Sequence, residues 1–143
     1  MSDISQSIKK YIKSTKNERI KGLFLSDFKA YLSDIYSCFI LDYTGTEKWL
    51  KMAQNGSNNY PFNRFDTFMV ILKASKVDLM KYRDIVRQPQ KVAINGVNYD
   101  RKYLLYTYDF LGDNIAVYQE EKAPRLLKIY SDRGFGVIAP FKD

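Results

Sequence analysis

The stretch QKVAINGVNYDRKYLLYTYDFLGDNIAVYQEEKAPRLLKIYSDRGFGVIAPFKD, residues 90–143, decides the fold. Asn95-Gly96 separates two short apolar segments, and both residues tolerate the positive φ angles of a type I′ turn, so this part begins with a β-hairpin. The apolar residues of the next segment fit either a strand or a helix. Because Asp100 can cap a helix and Gly112 can end one, we predict a helix between them.

The two alternatives for this segment bury different side chains. A strand would place on one face Leu104, Tyr106, Tyr108 and Phe110, whereas a helix would bury Tyr103, Leu104, Thr107, Tyr108 and Leu111. Three further apolar segments, IAVYQ, RLLKIYS and FGVIAPF, follow the helix. They predict three antiparallel strands, joined by residues 120–124 and by the turn SDRG.

Residues 1–21 predict a basic amphipathic helix. Its apolar positions recur at helical spacing and are Ile4, Ile8, Tyr11 and Ile12, whereas the opposite face carries Lys9, Lys10, Lys13 and Lys16. Ser2 or Asp3 can cap its first turn. Such a helix can lie on a membrane, dock on a partner or pack on its own domain, and the narrow aliphatic stripe favours packing on the domain.

The middle of the chain, residues 22–89, is predicted to be mostly helical. After a short apolar segment at residues 23–25, a helix capped by Ser26 would bury Phe28, Leu32, Ile35 and Tyr36. Residues 39–43 indicate a buried strand, and residues 46–53 indicate a short helix capped by Thr44 or Thr46. Residues 54–63 predict a loop, residues 65–76 favour a helix over a strand, and residues 78–88 predict a helix with an exposed basic patch of Lys81, Arg83 and Arg87.

Together these elements predict an α+β protein in which one domain, residues 1–143, packs a helical N-terminal half on a small antiparallel sheet. A chain of 143 residues that is 45% hydrophobic and 15% aromatic can form such a core. The many tyrosines suit a sheet core or a binding surface equally, because the ring packs while the hydroxyl stays hydrogen-bonded.

The net charge of +7 suggests an anionic partner. Residues 1–21 contain six basic and two acidic residues, so over half of the excess lies in the first segment. A clustered basic surface attracts nucleic acid or an acidic protein surface, although it can also be a merely solvated face. The candidate phosphate contacts are Lys9, Lys10, Lys13, Lys16, Lys81, Arg83 and Arg87.

The sequence contains no recognisable catalytic set. The absence of histidine excludes His-ligated metals and His-dependent nucleophiles, and the single Cys38 lies in an apolar run that indicates an inert buried thiol. Carboxylate pairs such as Asp42 with Glu47, or Glu120 with Glu121, lack a nuclease arrangement. We therefore expect a non-enzymatic cytoplasmic protein that uses no cofactor or metal and has neither a membrane span nor a signal peptide.

Residues 90–143 resemble the last domain of the bacterial DNA polymerase III β sliding clamp. The matching features are the helix start at Tyr99, Asp100 and Tyr103-Leu104, and the closing segment VIAPFK, residues 137–142. The chain holds at most one of the three domains of a clamp subunit. It is also basic, whereas clamps are acidic overall, so the encircling of DNA does not follow from the resemblance.

The resemblance implies a peptide groove. In clamps the closing strand and tail help form a hydrophobic groove that binds short peptides of polymerases and repair enzymes. Carried over to this chain, the groove residues are Val137, Ala139, Pro140 and Phe141. The alternative is that Pro140 ends an edge strand and that Phe141 packs on the core.

Two functions follow as hypotheses. One is a clamp-like binding domain that associates with DNA or with a replication or repair protein. The other is a small phage or plasmid protein that binds and inhibits a host protein, such as a replication or host-defence protein.

Overall fold

The computed structural model describes residues 4–14, 23–26, 28–33, 36–52, 74–82 and 90–141. Its elements, in chain order, are α1 (Ser5–Ser14), β1 (Leu23–Ser26), β2 (Lys29–Ser33), β3 (Ser37–Asp42), a 3₁₀ helix (Lys48–Met52), β4 (Ala74–Val77), a second 3₁₀ helix (Leu79–Tyr82), β5 (Lys91–Ile94), β6 (Val97–Asp100), α2 (Arg101–Leu111), β7 (Ile115–Glu120), β8 (Leu127–Ser131) and β9 (Gly134–Ile138).

Seven of the described strands form one antiparallel sheet in the order β1-β2-β3-β9-β8-β7-β4, and β5 and β6 form a separate hairpin. Strands β3 and β9 pair in the middle of the sheet, with Ser37 opposite Ile138 and Ile40 opposite Phe135. This pairing joins the first strands of the chain to the last one. The two halves of the chain therefore build a common sheet.

The prediction of a helical N-terminal half on a small sheet is wrong. Where it is described, the segment expected to be a helix after the cap Ser26 instead forms a turn at Phe28, strand β2 and the start of β3. Strand β2 pairs with β1, the short apolar segment that precedes it. In β2 the side chains of Ala30 and Leu32 are buried, which is the two-residue period of a strand. The spacing of Phe28 and Leu32 suggested a helix because the small residue Ala30 was not counted as part of the apolar face.

The rest of the middle part also differs from the prediction. Strand β4 lies at the end of the segment for which a helix was favoured, and pairs with β7. Short 3₁₀ helices occupy Lys48–Met52, where a short helix was predicted, and Leu79–Tyr82, where a longer helix was predicted to begin. The predicted loop at 54–63 and the rest of the predicted helices lie outside the described residues. The buried strand predicted at residues 39–43 is confirmed by β3.

The hairpin, helix and three strands predicted for the C-terminal part are confirmed. Asn95 and Gly96 have φ angles of 50° and 79°, as a type I′ turn requires. The Asp100 side chain accepts a hydrogen bond of 3.0 Å from the backbone N–H of Lys102, which is an N-cap of α2. The helix ends at Gly112, whose φ is 79°. Its buried side chains include the five that helical spacing predicted: Tyr103, Leu104, Thr107, Tyr108 and Leu111.

Helix α1 packs on its own domain, as its narrow apolar stripe favoured. Tyr11 is fully buried, and its ring makes edge-to-face contacts with Phe39, Tyr106 and Phe110 at centroid distances of 5.7, 5.2 and 5.8 Å. Its hydroxyl lies 2.8 Å from the Ser37 hydroxyl, so the buried polar atom is satisfied. The shared ring cluster fixes α1 against α2 and the sheet.

Candidate binding surfaces

The exposed side of α1 carries the first candidate surface, which we call the α1 lysine face and define as Lys9, Lys10 and Lys13. All three side chains are exposed, whereas the adjacent Ile8 and Tyr11 are buried. The separation follows from the helical period of 3.6 residues, which turns these lysines away from the core. The arrangement holds three cations on about one turn of a fixed helix, where they can contact phosphates.

The other predicted phosphate contacts lie at or beyond the edge of what the structure describes. Lys16, Arg83 and Arg87 fall outside the described residues, as do the possible N-caps Ser2 and Asp3. Lys81 belongs to the second 3₁₀ helix, but its side chain is not among those described. The carbonyl of the preceding Leu79 accepts a 2.6 Å hydrogen bond from the Tyr108 hydroxyl, which anchors that 3₁₀ helix to α2.

The four predicted groove residues are divided between two environments. Val137 is buried in a small cluster with Cys38 and Ile40. The half-buried tail beyond it includes Ala139 and Pro140. Phe141 donates its backbone N–H to the Asn98 carbonyl at 2.8 Å, and its ring lies 5.3 Å from the ammonium of Lys91.

The tail therefore runs from the sheet to the β5–β6 hairpin. Ala139 donates its backbone N–H to the Tyr36 carbonyl at 2.8 Å, which extends the contact between β9 and the segment before β3. Strand β9 is an inner strand of the sheet, so Pro140 does not end an edge strand as the alternative interpretation had it.

The sheet also presents a surface that the sequence interpretation did not identify. A Cβ added to Gly136 would lie 3.1 Å from Phe39 and 3.3 Å from Leu111 of α2, so this position faces the helices. Side chains alternate along a strand, so Phe135 and Val137 point to the opposite side. We call that side the outer face of the sheet.

Three rings form an aromatic row on the outer face: Tyr118 of β7, Tyr130 of β8 and Phe135 of β9. The Tyr118 and Tyr130 centroids are 5.9 Å apart, the Tyr130 and Phe135 centroids are 5.8 Å apart, and both contacts are edge-to-face. All three side chains are half-buried. Burial and the neighbouring Tyr118 raise the pKa of Tyr130 above its usual value, so its hydroxyl stays protonated at neutral pH. The signal in the sequence was the alternation within the last three strands.

Two ion pairs flank the aromatic row. The Lys128 ammonium lies 3.1 Å from the Glu120 carboxylate, and Lys128 is buried between neighbours on adjacent strands. Lys29 lies 2.7 Å from Asp42 and 5.8 Å from the centroid of the Phe135 ring. Both lysines are thus paired with carboxylates, and Lys29 also lies beside a ring of the row.

A buried polar network holds the β5–β6 hairpin against the sheet. The side-chain amide of Gln119 donates to the Ile94 carbonyl at 2.9 Å and to the Tyr99 hydroxyl at 2.8 Å, and it accepts from Asn95 at 2.9 Å. Tyr99 in turn donates to the Arg125 carbonyl at 2.7 Å. Burial raises the pKa of Tyr99. Because every member has partners within the protein, the network has a structural role.

The acidic residues in the described part of the chain form no candidate metal site. No group of three or more Cys, Asp or Glu residues there could hold a metal ion. The thiol of Cys38 is buried, as its apolar surroundings predicted. Of the candidate carboxylates, Glu47 accepts hydrogen bonds from the turn that precedes the first 3₁₀ helix, and Glu120 pairs with Lys128.

No described helix has the length and apolar character needed to cross a bilayer.

No protein-family model, curated protein or solved structure matches this chain. The resemblance of residues 90–143 to the last domain of the sliding clamp therefore stays a prediction.

Proposed function

We propose that this protein is a non-enzymatic binding domain that associates with DNA through the α1 lysine face. The observation that carries the proposal is the division of α1 into two sides. Its apolar side is packed in the core, whereas Lys9, Lys10 and Lys13 stay exposed. A rigid helix that presents several lysines together can neutralise adjacent phosphates and release their counterions.

The sliding-clamp likeness forms the second part of the proposal. Its support is the order of elements after residue 90, in which a hairpin, one capped helix and three antiparallel strands follow each other. A replication or repair protein is the corresponding partner on the protein side, and the tail from Ala139 to Phe141 is the candidate contact. We propose no ring closure, since this chain holds at most one clamp-like unit.

The test is fluorescence anisotropy with labelled duplex DNA from about 50 to 200 mM salt. The variant K9Q/K10Q/K13Q removes the α1 lysine face, and K91Q/K102Q/K122Q removes three exposed lysines elsewhere. Each phosphate contact contributes about one unit to the slope of log affinity against log salt. We therefore expect the first variant to lower that slope by about 3 and the second to leave it unchanged.

Two results would contradict DNA binding through α1. Wild-type affinity could be independent of salt over that range, which would exclude phosphate contacts. The two triple variants could also weaken binding equally, which would assign it to net charge rather than to the α1 lysine face.

A second candidate function is the binding of a protein, such as a host protein that is inhibited. The observation that favours it is Phe28, at the turn between β1 and β2. Its side chain is 69% exposed, and its φ of 60° lies in the left-handed region. Leu25 nearby is 39% exposed. A bulky residue in that conformation costs about 1–2 kcal/mol, and an exposed ring is a common anchor of protein interfaces.

Phe28→Asn tests this candidate, because Asn accepts the left-handed conformation readily. We expect the variant to be as stable as the wild type or up to about 1 kcal/mol more stable in urea unfolding. We also expect it to lose a stoichiometric partner that the wild type retains from nuclease-treated bacterial lysate. The capture of the same partner by both proteins would remove Phe28 as the anchor.

A further inference from the structure

We propose that the outer face of the sheet binds single-stranded nucleic acid by stacking bases on the aromatic row. This surface is separate from the α1 lysine face, and the inference does not depend on duplex binding there. It rests on the geometry of Tyr118, Tyr130 and Phe135 and on the charges around them.

The rings are arranged as a platform rather than as part of the main core. They lie on three adjacent strands and contact each other edge to face. Phe135 also packs against the buried cluster of Cys38, Ile40 and Val137 beside it on the same face. Each ring remains half-buried, so part of its surface reaches solvent. Because the strands hold the rings in place, a base that stacks on them finds a surface with little conformational freedom left to lose.

Two lysines at the ends of the aromatic row can contact a phosphate backbone. Lys76 of β4 is exposed and lies directly opposite Tyr118, so it shares the face with that ring. Lys29 lies at the other end, beside Phe135. Lys29 is paired with Asp42, and the buried Lys128 is paired with Glu120, so Lys76 leaves these five residues with a net charge of +1 in a chain whose net charge is +7. From β2 to β4 the face is about 24 Å wide, at about 4.8 Å between strands.

A single strand fits this surface better than a duplex does. The bases of a duplex are stacked on each other, whereas unpaired bases can be splayed out onto aromatic side chains. Sheets that combine aromatic rings with flanking lysines bind single strands by stacking and by backbone attraction, with little sequence preference. The expected ligand is therefore single-stranded DNA or RNA of at least about four nucleotides.

The principal test measures the anisotropy of labelled oligo(dT) with the full chain at about 50 mM salt. The variant Y118L/Y130L keeps apolar side chains on the sheet but removes two stacking surfaces. The loss of each stacking ring weakens binding about 5- to 150-fold, so we expect the double variant to bind at least about 25-fold more weakly. Leu105→Ala, which removes an exposed apolar side chain of α2 on the opposite side of the sheet, is the control and should bind as the wild type does.

A second measurement uses the unaltered protein, in case the double variant does not fold. Photocrosslinking with an oligonucleotide that carries 5-iodouracil should label Tyr118, Tyr130 or Phe135. The proposal is overturned if the wild type does not bind oligo(dT), if Y118L/Y130L folds and binds it equally well, or if the crosslinks lie only elsewhere on the chain.

The two proposals can fail separately. K9Q/K10Q/K13Q should weaken the binding of duplex DNA while the crosslinks of oligo(dT) to the aromatic row persist. Conversely, Y118L/Y130L should leave the affinity for duplex DNA unchanged. Loss of both ligands in K9Q/K10Q/K13Q, with no crosslink to the aromatic row, would assign all binding to α1.

Discussion

At the scale of single residues, backbone space decides which positions tolerate change. Gly134 is the clearest case, since its φ is 149° and an added Cβ would lie 2.0 Å from the carbonyl oxygen of Ile40. The obstacle is backbone of the paired strand β3 and cannot rotate away. Gly136, two residues later, would meet only side chains, at 3.1 Å from the Phe39 ring. Two glycines of one strand thus play different parts.

We predict that Gly134→Ala destabilises the protein by about 3 kcal/mol or more, because backbone strain and a steric overlap act together. Gly136→Ala should cost about 1 kcal/mol, since the Phe39 ring can shift slightly. Urea unfolding of both variants measures the difference. Equal losses would mean that β3 and β9 can separate at little cost.

The elements differ in how far their own residues specify them. The β5–β6 hairpin and α2 carry strong local signals, namely Asn95-Gly96, the Asp100 cap and Gly112, and all three act as expected in the structure. Strand β2 has no such signal. Its five residues fit a helix or a strand, and pairing with β1 and β3 selects the strand.

The turn before the first 3₁₀ helix is an element with a pH dependence. Burial of the Glu47 carboxylate raises its pKa. Hydrogen bonds from the Thr44 backbone, from Gly45 and from the Thr44 hydroxyl outweigh this effect, and they lower the pKa from 4.5 to about 2. The ionised carboxylate is thus bound more favourably in the folded state. Its contribution to stability is complete above pH 4.5 and is lost as the pH falls towards 2.

We predict that Glu47→Gln lowers the free energy of unfolding at pH 7 by about 1 kcal/mol or less, since solvent screens the interaction. The difference from the wild type should shrink between pH 4.5 and 2. Urea unfolding at several pH values measures it, and Thr44→Val, which removes one donor, should show a smaller change with pH than the wild type. A difference that is constant with pH would rule out the charged carboxylate as the cause.

At the scale of the whole molecule, the fold separates the two surfaces for which we propose nucleic-acid binding. Helices α1 and α2 share one ring cluster on one side of the sheet, and the aromatic row lies on the other side. The α1 lysine face could be anticipated because it depends only on the helical period. The aromatic row depends on strands β7, β8 and β9 being neighbours in register, and that is a property of the folded sheet.

The sequence by itself determined the C-terminal hairpin, helix α2 with its buried face, the three final strands and the two-sided character of α1. In each of these, residues within about one turn or one hairpin specify the backbone. Only the tertiary structure decided that the N-terminal half enters the same sheet, through the pairing of β3 with β9. The physical reason is that a strand satisfies its backbone hydrogen bonds only through partner strands. Short apolar segments do not specify those partners, and the partner of β3 lies almost a hundred residues away along the chain.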